Sequence, residues 1–244
     1  MSVDRPPVRL LHTSDVHIGD DYDPASRLAG LTAVVDAALA QRVDALLIVG
    51  DLFDSSRVKA QQILDALEQL ARLTIPTIVT SGNHDCLDQT SVYQRVPFAE
   101  AGGHIYFMDD PEGSRLTLDE LRLSIWSKAL VDHYPGHRPV EGCQPPDPRY
   151  WNVVLAHAHY VPEGERSDRS SLIHESEIAA LGCDYLALGH WHRFLDCSVD
   201  GVPAFYSGCP SEAGGSFASA NLVLLDEASG ARVERIPLDG DTPD

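Results

Sequence analysis

Apolar runs alternate with amphipathic segments through the first half of the chain, and this alternation narrows the possible folds most. The stretches "VRLLHTSD" (8–15), "DALLIVGD" (44–51) and "IPTIVTSGNHD" (75–85) read as short buried strands. Between the first two, residues 26–41 place Leu28, Leu31, Val35 and Leu39 at helical spacing. Residues 58–73 repeat the pattern with Ile63, Leu67, Leu70 and Ala71. Strand, helix, strand, helix, strand predicts right-handed βαβ units and a largely parallel sheet. The second half is richer in strands: "RLTL", "LRLSIW", "WNVVLAH" and "DYLALG". Two hairpins close it, "FLDCSV-DG-VPAFYS", with a tight turn at Asp200-Gly201, and "NLVLLD-EASG-ARVERI". A loop is expected over 160–175, a short helix near 175–182, a long surface loop from Pro135 to Pro148, and a frayed acidic tail in "DGDTPD". The expectation is α/β: a two-sheet sandwich flanked by helices, the later strands forming a layer opposite the first, in a single domain spanning 1–244.

The strand ends carry a second pattern. The runs end in Asp15 and His17, in Asp51 and Asp54, in Asn83 and His84, in His157 and His159, and in His190 and His192. The carboxyl ends of neighbouring strands in an open α/β sheet converge on one crevice. One such residue is ordinary turn chemistry. Five strand ends in succession are not. The donors offered are imidazole nitrogens, carboxylates and an amide oxygen, with no thiolate. That mix suits manganese, iron or zinc better than a soft metal or calcium. Seven candidate ligands among these ten residues exceed what one tetrahedral ion takes and fit two ions that share a carboxylate. Such a pair clamps a phosphate and stabilises in-line attack on it. Phosphate-ester hydrolysis is the expected chemistry.

As a set, D-x-H … G-D … G-N-H-D … H … G-H-x-H resembles the calcineurin-like metallophosphoesterase superfamily. "GDLFDSSRV", "HYVPEGERSDRSS", "DYLALGHWHR" and "FYSGCPSE" bring it nearer to the nuclease subunit of bacterial and archaeal double-strand-break repair complexes, over residues 8 to 238 or so. The resemblance implies a four-layer αββα catalytic domain. It implies that Asp15, His17 and His192 hold a first metal, that Asn83, His157 and His190 hold a second, and that Asp51 bridges them. His84 would protonate the leaving oxygen or stabilise charge on the phosphoryl group. Asp54 matches the position that orients this histidine in related phosphatases, although some repair nucleases carry a histidine there. His159 is expected further out, supporting the ligands or facing substrate. The cofactor implied is two divalent ions, manganese first, with iron or zinc as alternatives.

The activity implied is that of a binuclear metal-dependent phosphodiesterase resembling a DNA-repair exonuclease core. The alternative is a phosphodiesterase or phosphatase acting on a small nucleotide-type substrate. A scaffold that has lost catalysis is a third reading, and the full ligand set argues against it. Thirty-seven Asp and Glu face 18 Lys and Arg, a formal net charge of −19 at pH 7. That balance counts against a lone nucleic-acid binder. The basic residues expected near the site are Arg57, Lys59, Arg166, Arg169 and Arg193. The partner is a phosphate ester, nucleic acid ends included. No ATPase-binding segment and no DNA-gripping cap are recognised before Asp244. No apolar run is long enough to span a bilayer, and the N-terminus lacks a signal-peptide pattern. Five scattered cysteines without a CxxC pair predict reduced thiols and a cytoplasmic protein.

Overall fold

A computed structural model describes residues 5–132, 134–211 and 217–238. The acidic tail expected over 239–244 lies outside them. Strand β1 (Val8–Thr13) leads through a loop to helix α1 (Pro24–Gln41). The helix begins there because Asp23 caps it: the Ser26 N–H donates to the Asp23 carboxylate at 3.0 Å, and Pro24 needs no partner for a missing donor. It ends at Arg42, whose left-handed conformation returns its N–H to the Ala38 and Leu39 carbonyls. Strand β2 (Ala45–Val49), helix α2 (Ala60–Leu70), strand β3 (Thr77–Thr80), the single-turn helix α3 (Phe98–Ala101) and strand β4 (Ile105–Met108) complete the alternating half. The third strand starts at Thr77, not Ile75, because Pro76 has no N–H to give to a ladder.

The second half contributes β5 (Ser114–Leu118), β6 (Leu123–Ser127), β7 (Trp151–His157), β8 (His159–Val161), β9 (Leu172–His174), helix α4 (Glu175–Leu181), β10 (Tyr185–Gly189), β11 (Phe194–Asp196), β12 (Ala204–Ser207), β13 (Ser219–Asp226) and β14 (Gly230–Pro237). One six-stranded sheet has the order β14-β13-β1-β2-β3-β4, the other β11-β12-β10-β7-β6-β5. The strands β1 to β4 run parallel, as do β6, β7, β10 and β12. The two sheets face each other over a core that includes Leu10, Leu47, Val49, Ile125, Trp151, Leu155 and Tyr185. Helices α1 and α2 cover the outer face of the first sheet through Leu31, Val34, Val35, Ile63 and Leu67. Each such fully buried aliphatic side chain contributes about 1.5–3 kcal/mol. The outer face of the second sheet is covered by α4, through Ile178, and by the loop before β7, through Val140. The expected four layers are present, the fourth being one short helix and loop.

Three expectations change. The closing hairpin does not join the layer opposite the first. Strand β13 pairs antiparallel with β1, Leu10 opposite Val223, and so extends the first sheet. The physical reason is burial: Val223 and Leu225 point into the inter-sheet core beside Leu10 and Val8. The loop at 160–175 contains a small parallel ribbon, with His159 opposite Leu172. Strand β4 was not expected; it is short, and its Tyr106 and Phe107 are only partly buried. The hairpin of β11 and β12 forms as expected, with Asp200 and Gly201 both at positive φ (48° and 83°).

Candidate metal centre

The loops leaving β1, β2 and β10 are forced into a conformation that side chains avoid. Asp15, His17, Asp51 and His190 have φ of 56°, 55°, 52° and 106°. A strained backbone of this kind costs about 1–3 kcal/mol per residue and persists only where its surroundings over-determine it. Here they do. The Asp15 N–H donates to the Gly50 carbonyl at 3.1 Å, and the His17 N–H to the Asp51 carbonyl at 2.9 Å. The His190 N–H donates to Asp15 Oδ2 at 3.0 Å, and the Ser14 hydroxyl reaches the same oxygen. The glycines of this region are there for space. A Cβ on Gly50 would stand 2.2 Å from His157 Nδ1, and one on Gly82 2.2 Å from Asp51 Oδ1.

These loops bring the seven expected ligands together. His157 Nε2 lies 3.0 Å from Asn83 Oδ1 and 3.2 Å from Asp51 Oδ2. His190 Nδ1 lies 2.9 Å from the same amide oxygen. Across the crevice, His17 Nε2 is 3.2 Å from His192 Nε2, which is 3.6 Å from Asp15 Oδ1. Asp15 Oδ1 is also 4.0 Å from His157 Nε2, so the two groups are contiguous. The ligand atoms of Asp15, His17 and His192, and those of Asp15, Asp51 and His157, lie within 4.8 Å of one another.

The donor set fits a divalent cation on three grounds. Asp15 Oδ1 is buried without a hydrogen-bond partner, and a buried carboxylate oxygen left so is costly unless a cation meets it. Two imidazole nitrogens of His17 and His192 face each other. His157 Nδ1 lies 2.9 Å from the Val49 carbonyl; donating its proton there leaves the Nε2 lone pair aimed at the cluster, the arrangement by which a second partner fixes a metal-binding histidine. The electrostatics agree. Burial pulls the His157 pKa down, but the charge and contact of Asp51, with Asp15 behind, raise it to about 10. Burial pushes Asp15 up, yet the contact with His192 and the charges of His157, His192 and His17 hold it below the usual carboxylate range. Burial and the His157 charge bring His190 down to about 3. Asp51 and Asp15 draw positive charge to the position of His157, while His190 is held neutral with a lone pair to offer.

His84 stands at the rim, exposed. Its backbone N–H donates to Asp51 Oδ1 at 2.8 Å, and its Nδ1 lies 3.0 Å from the Asp54 carbonyl. The Asp54 carboxylate is 3.6 Å from this nitrogen and 3.2 Å from His17 Nδ1. The aspartate is shared, and its main chain makes the closer contact with His84. One important residue carried no expectation. Asp85 is buried, and its carboxylate accepts the N–H groups of Gly82 (2.7 Å), Phe53 (3.1 Å) and Asp51 (3.2 Å) and the Tyr93 hydroxyl (2.7 Å). It ties the β2 loop to the β3 loop. The last letter of "GNHD" is the only sequence signal for it.

Residues 8–194 match the model of the calcineurin-like phosphoesterase family. The chain belongs to that family. This phosphoesterase is 28% identical over 224 residues to the DNA double-strand break repair protein Mre11 of Methanopyrus kandleri, a match covering 83% of the chain and 49% of that protein. It is 28% identical over 251 residues to a subunit of the SbcCD nuclease of Bacillus subtilis, covering 85% of the chain and 64% of the relative. The chain therefore spans about half to two thirds of the length of these relatives. A crystal structure from Thermus thermophilus superposes with a TM-score of 0.62 at 14% identity, covering 96% of the chain and all of the other, and shows the same fold. The chain is a hydrolase of phosphate esters with clusters of candidate metal ligands at the strand ends.

Two features of the phosphoesterase rim complete the site. His159 packs edge-on against His190, ring centroids 5.8 Å apart, and its Nδ1 accepts the Trp191 indole N–H at 3.1 Å. Arg57, Lys59, Arg166, Arg169 and Arg193 are all exposed, and Arg193 lies over the Trp191 ring, 4.7 Å from its centroid. Among the described residues no helix is long and apolar enough to cross a membrane.

Proposed function

We propose that this phosphoesterase is a single catalytic domain that hydrolyses phosphodiester bonds with two divalent ions, manganese being the first choice. The observation that carries this reading is the position of Asp51, within reach of His157 and contiguous, through Asp15, with the cluster of His17 and His192. Asp15, His17 and His192 would hold one ion, Asn83, His157 and His190 the other, and Asp51 would serve both. Bound there, the ions would supply charge neutralisation at the phosphate and align it for in-line attack. The protein's own part is positional and protolytic. His84, anchored at Nδ1 by a carbonyl, directs Nε2 outward to donate a proton to the leaving oxygen. The five free cysteines support a reducing, cytoplasmic setting.

Nuclease-type relatives favour a substrate related to nucleic acid ends. The net charge of −19 favours the second reading, a small nucleotide-type phosphate ester. Hydrolysis of a panel in Mn²⁺ tests both: single-stranded DNA, duplex DNA, cyclic nucleotides and aryl phosphate mono- and diesters. Metal analysis should approach two ions per chain, and Asp51→Asn should impair both positions. One ion per chain, unchanged by Asp51→Asn, would remove the shared ligand. Binding to short DNA that falls steeply with salt supports the nucleic acid substrate; hydrolysis confined to small esters supports the other.

A further inference from the structure

Between the two histidines of "GHWH" stands Trp191, and the function described so far leaves it unused. The chain has three tryptophans. Trp126 and Trp151 are 2% and 1% exposed, while Trp191 is only partly buried. Its ring is fixed. The indole N–H is bound to His159, and the ring stacks on Tyr206 with centroids 5.7 Å apart and planes 25° from parallel. Tyr206 is immobile in turn: fully buried, its hydroxyl donates to the Ala158 carbonyl at 2.7 Å and accepts the Tyr160 N–H at 2.9 Å. On the solvent side the exposed Arg193 guanidinium lies against the indole, without a carboxylate partner among the described residues. The three groups run from a buried ring, through a half-buried ring, to an exposed cation. Trp191 itself is joined by one peptide bond to each of two expected ligands, His190 and His192.

A rigid aromatic ring capped by an exposed arginine matches what nucleotides bind. Bases stack on aromatic rings and on guanidinium planes, and the cation meets the adjoining phosphate. We propose that Trp191 and Arg193 form a nucleotide subsite next to His190 and His192, the base of the nucleoside esterified to the scissile phosphate stacking on the Arg193 guanidinium that the indole supports. The proposal deepens the phosphodiesterase reading by naming the substrate class as nucleoside phosphodiesters. The rigidity favours it, since a ring already ordered loses little entropy on stacking.

Two measurements test it. Thymidine 5′-monophosphate added to the manganese-loaded protein should quench tryptophan emission saturably, because Trp191 is the one tryptophan within reach of solvent. Inorganic phosphate at equal concentration should not, and Trp191→Phe should abolish the effect. Kinetically, thymidine 5′-(4-nitrophenyl phosphate) is compared with methyl 4-nitrophenyl phosphate, which has the same leaving group and no base. Arg193→Ala and Trp191→Leu should lower the ratio of the two kcat/KM values at least about fivefold, mainly through KM for the thymidine ester. Should Trp191→Leu fold poorly, Arg193→Ala, altered only at an exposed side chain, still gives the ratio. An unchanged ratio in Arg193→Ala, or no quenching in the unsubstituted protein, overturns the subsite. Failure to hydrolyse either ester removes the phosphodiesterase reading instead, and the quenching still decides the subsite.

Discussion

The carboxylate of Asp85 accepts the backbone N–H of Asp51 at 3.2 Å, although both side chains are buried acids. Like charges at this range repel, and burial with the Asp51 charge raises the Asp85 pKa to about 6. The contact persists because Asp85 also satisfies two further N–H groups and the Tyr93 hydroxyl.

Asp85→Asn keeps the shape and turns one acceptor into a donor facing donors. Each buried group left unpaired costs about 1–3 kcal/mol. The denaturant midpoint should fall accordingly, and titration with Mn²⁺ should show weaker binding, because Asp51 is no longer fixed. Unaltered stability and affinity would show that the network does not position Asp51.

His84→Asn should retain metal and lose about 10²- to 10⁴-fold in kcat. Asp54→Ala should cost less turnover, since the carbonyl that meets His84 Nδ1 survives the substitution. It should weaken binding at the cluster of His17, whose Nδ1 loses its neighbour. Equal kcat losses in the two variants would transfer the orienting role to the Asp54 carboxylate.

His157→Ala and His159→Ala should behave oppositely under metal analysis. His157 faces Asp51 and Asn83, and its removal should empty one position with nearly all turnover. His159 is engaged by Trp191, and its removal should leave the metal content intact. Metal loss in the His159 variant alone would reverse the assignment.

His12 supplies a pH test away from the metal centre. It lies fully buried between the sheets, its Nδ1 2.8 Å from the Tyr185 hydroxyl, and burial lowers its pKa from 6.5 to about 3. The folded protein keeps it neutral while the unfolded chain protonates it. The stability it contributes is therefore complete above pH 6.5 and lost as pH falls towards 3. His12→Gln keeps an acceptor for Tyr185 and removes the proton site. Between pH 6 and 4, at fixed metal concentration, its unfolding free energy should fall less steeply than that of the unsubstituted protein, by about 1.4 kcal/mol per pH unit. Parallel slopes would mean that His12 is not neutral in the fold.

The meeting of the seven expected ligands was legible because each follows an apolar strand directly, and parallel strands deliver their ends to one place. Asp85 was not, because its meaning lies in Tyr93, which sits on a single 3₁₀ turn with no periodic pattern. The bond from Trp191 to His159 was equally hidden, since it joins a loop to a strand 32 residues away. Alternation identified β13 as a strand, but period two names a buried face and not a neighbour. Its place beside β1 follows from the burial of Val223 and Leu225.

The pairing of β1 with β13 has a consequence for how the protein is made. β1 carries the turn of Asp15 and His17 and leaves the ribosome before its partner: Leu10 meets Val223 only after more than two hundred further residues. At the roughly 5–20 residues per second of synthesis, that edge waits ten seconds or more for its partner. Until then β1 is a strand with one free side, open to pairing with another nascent chain. Capture of the proposed ion by Asp15 would then wait for the synthesis of β13, and a chain stalled before Ser219 should be recovered as aggregate rather than as a metal-loaded fragment.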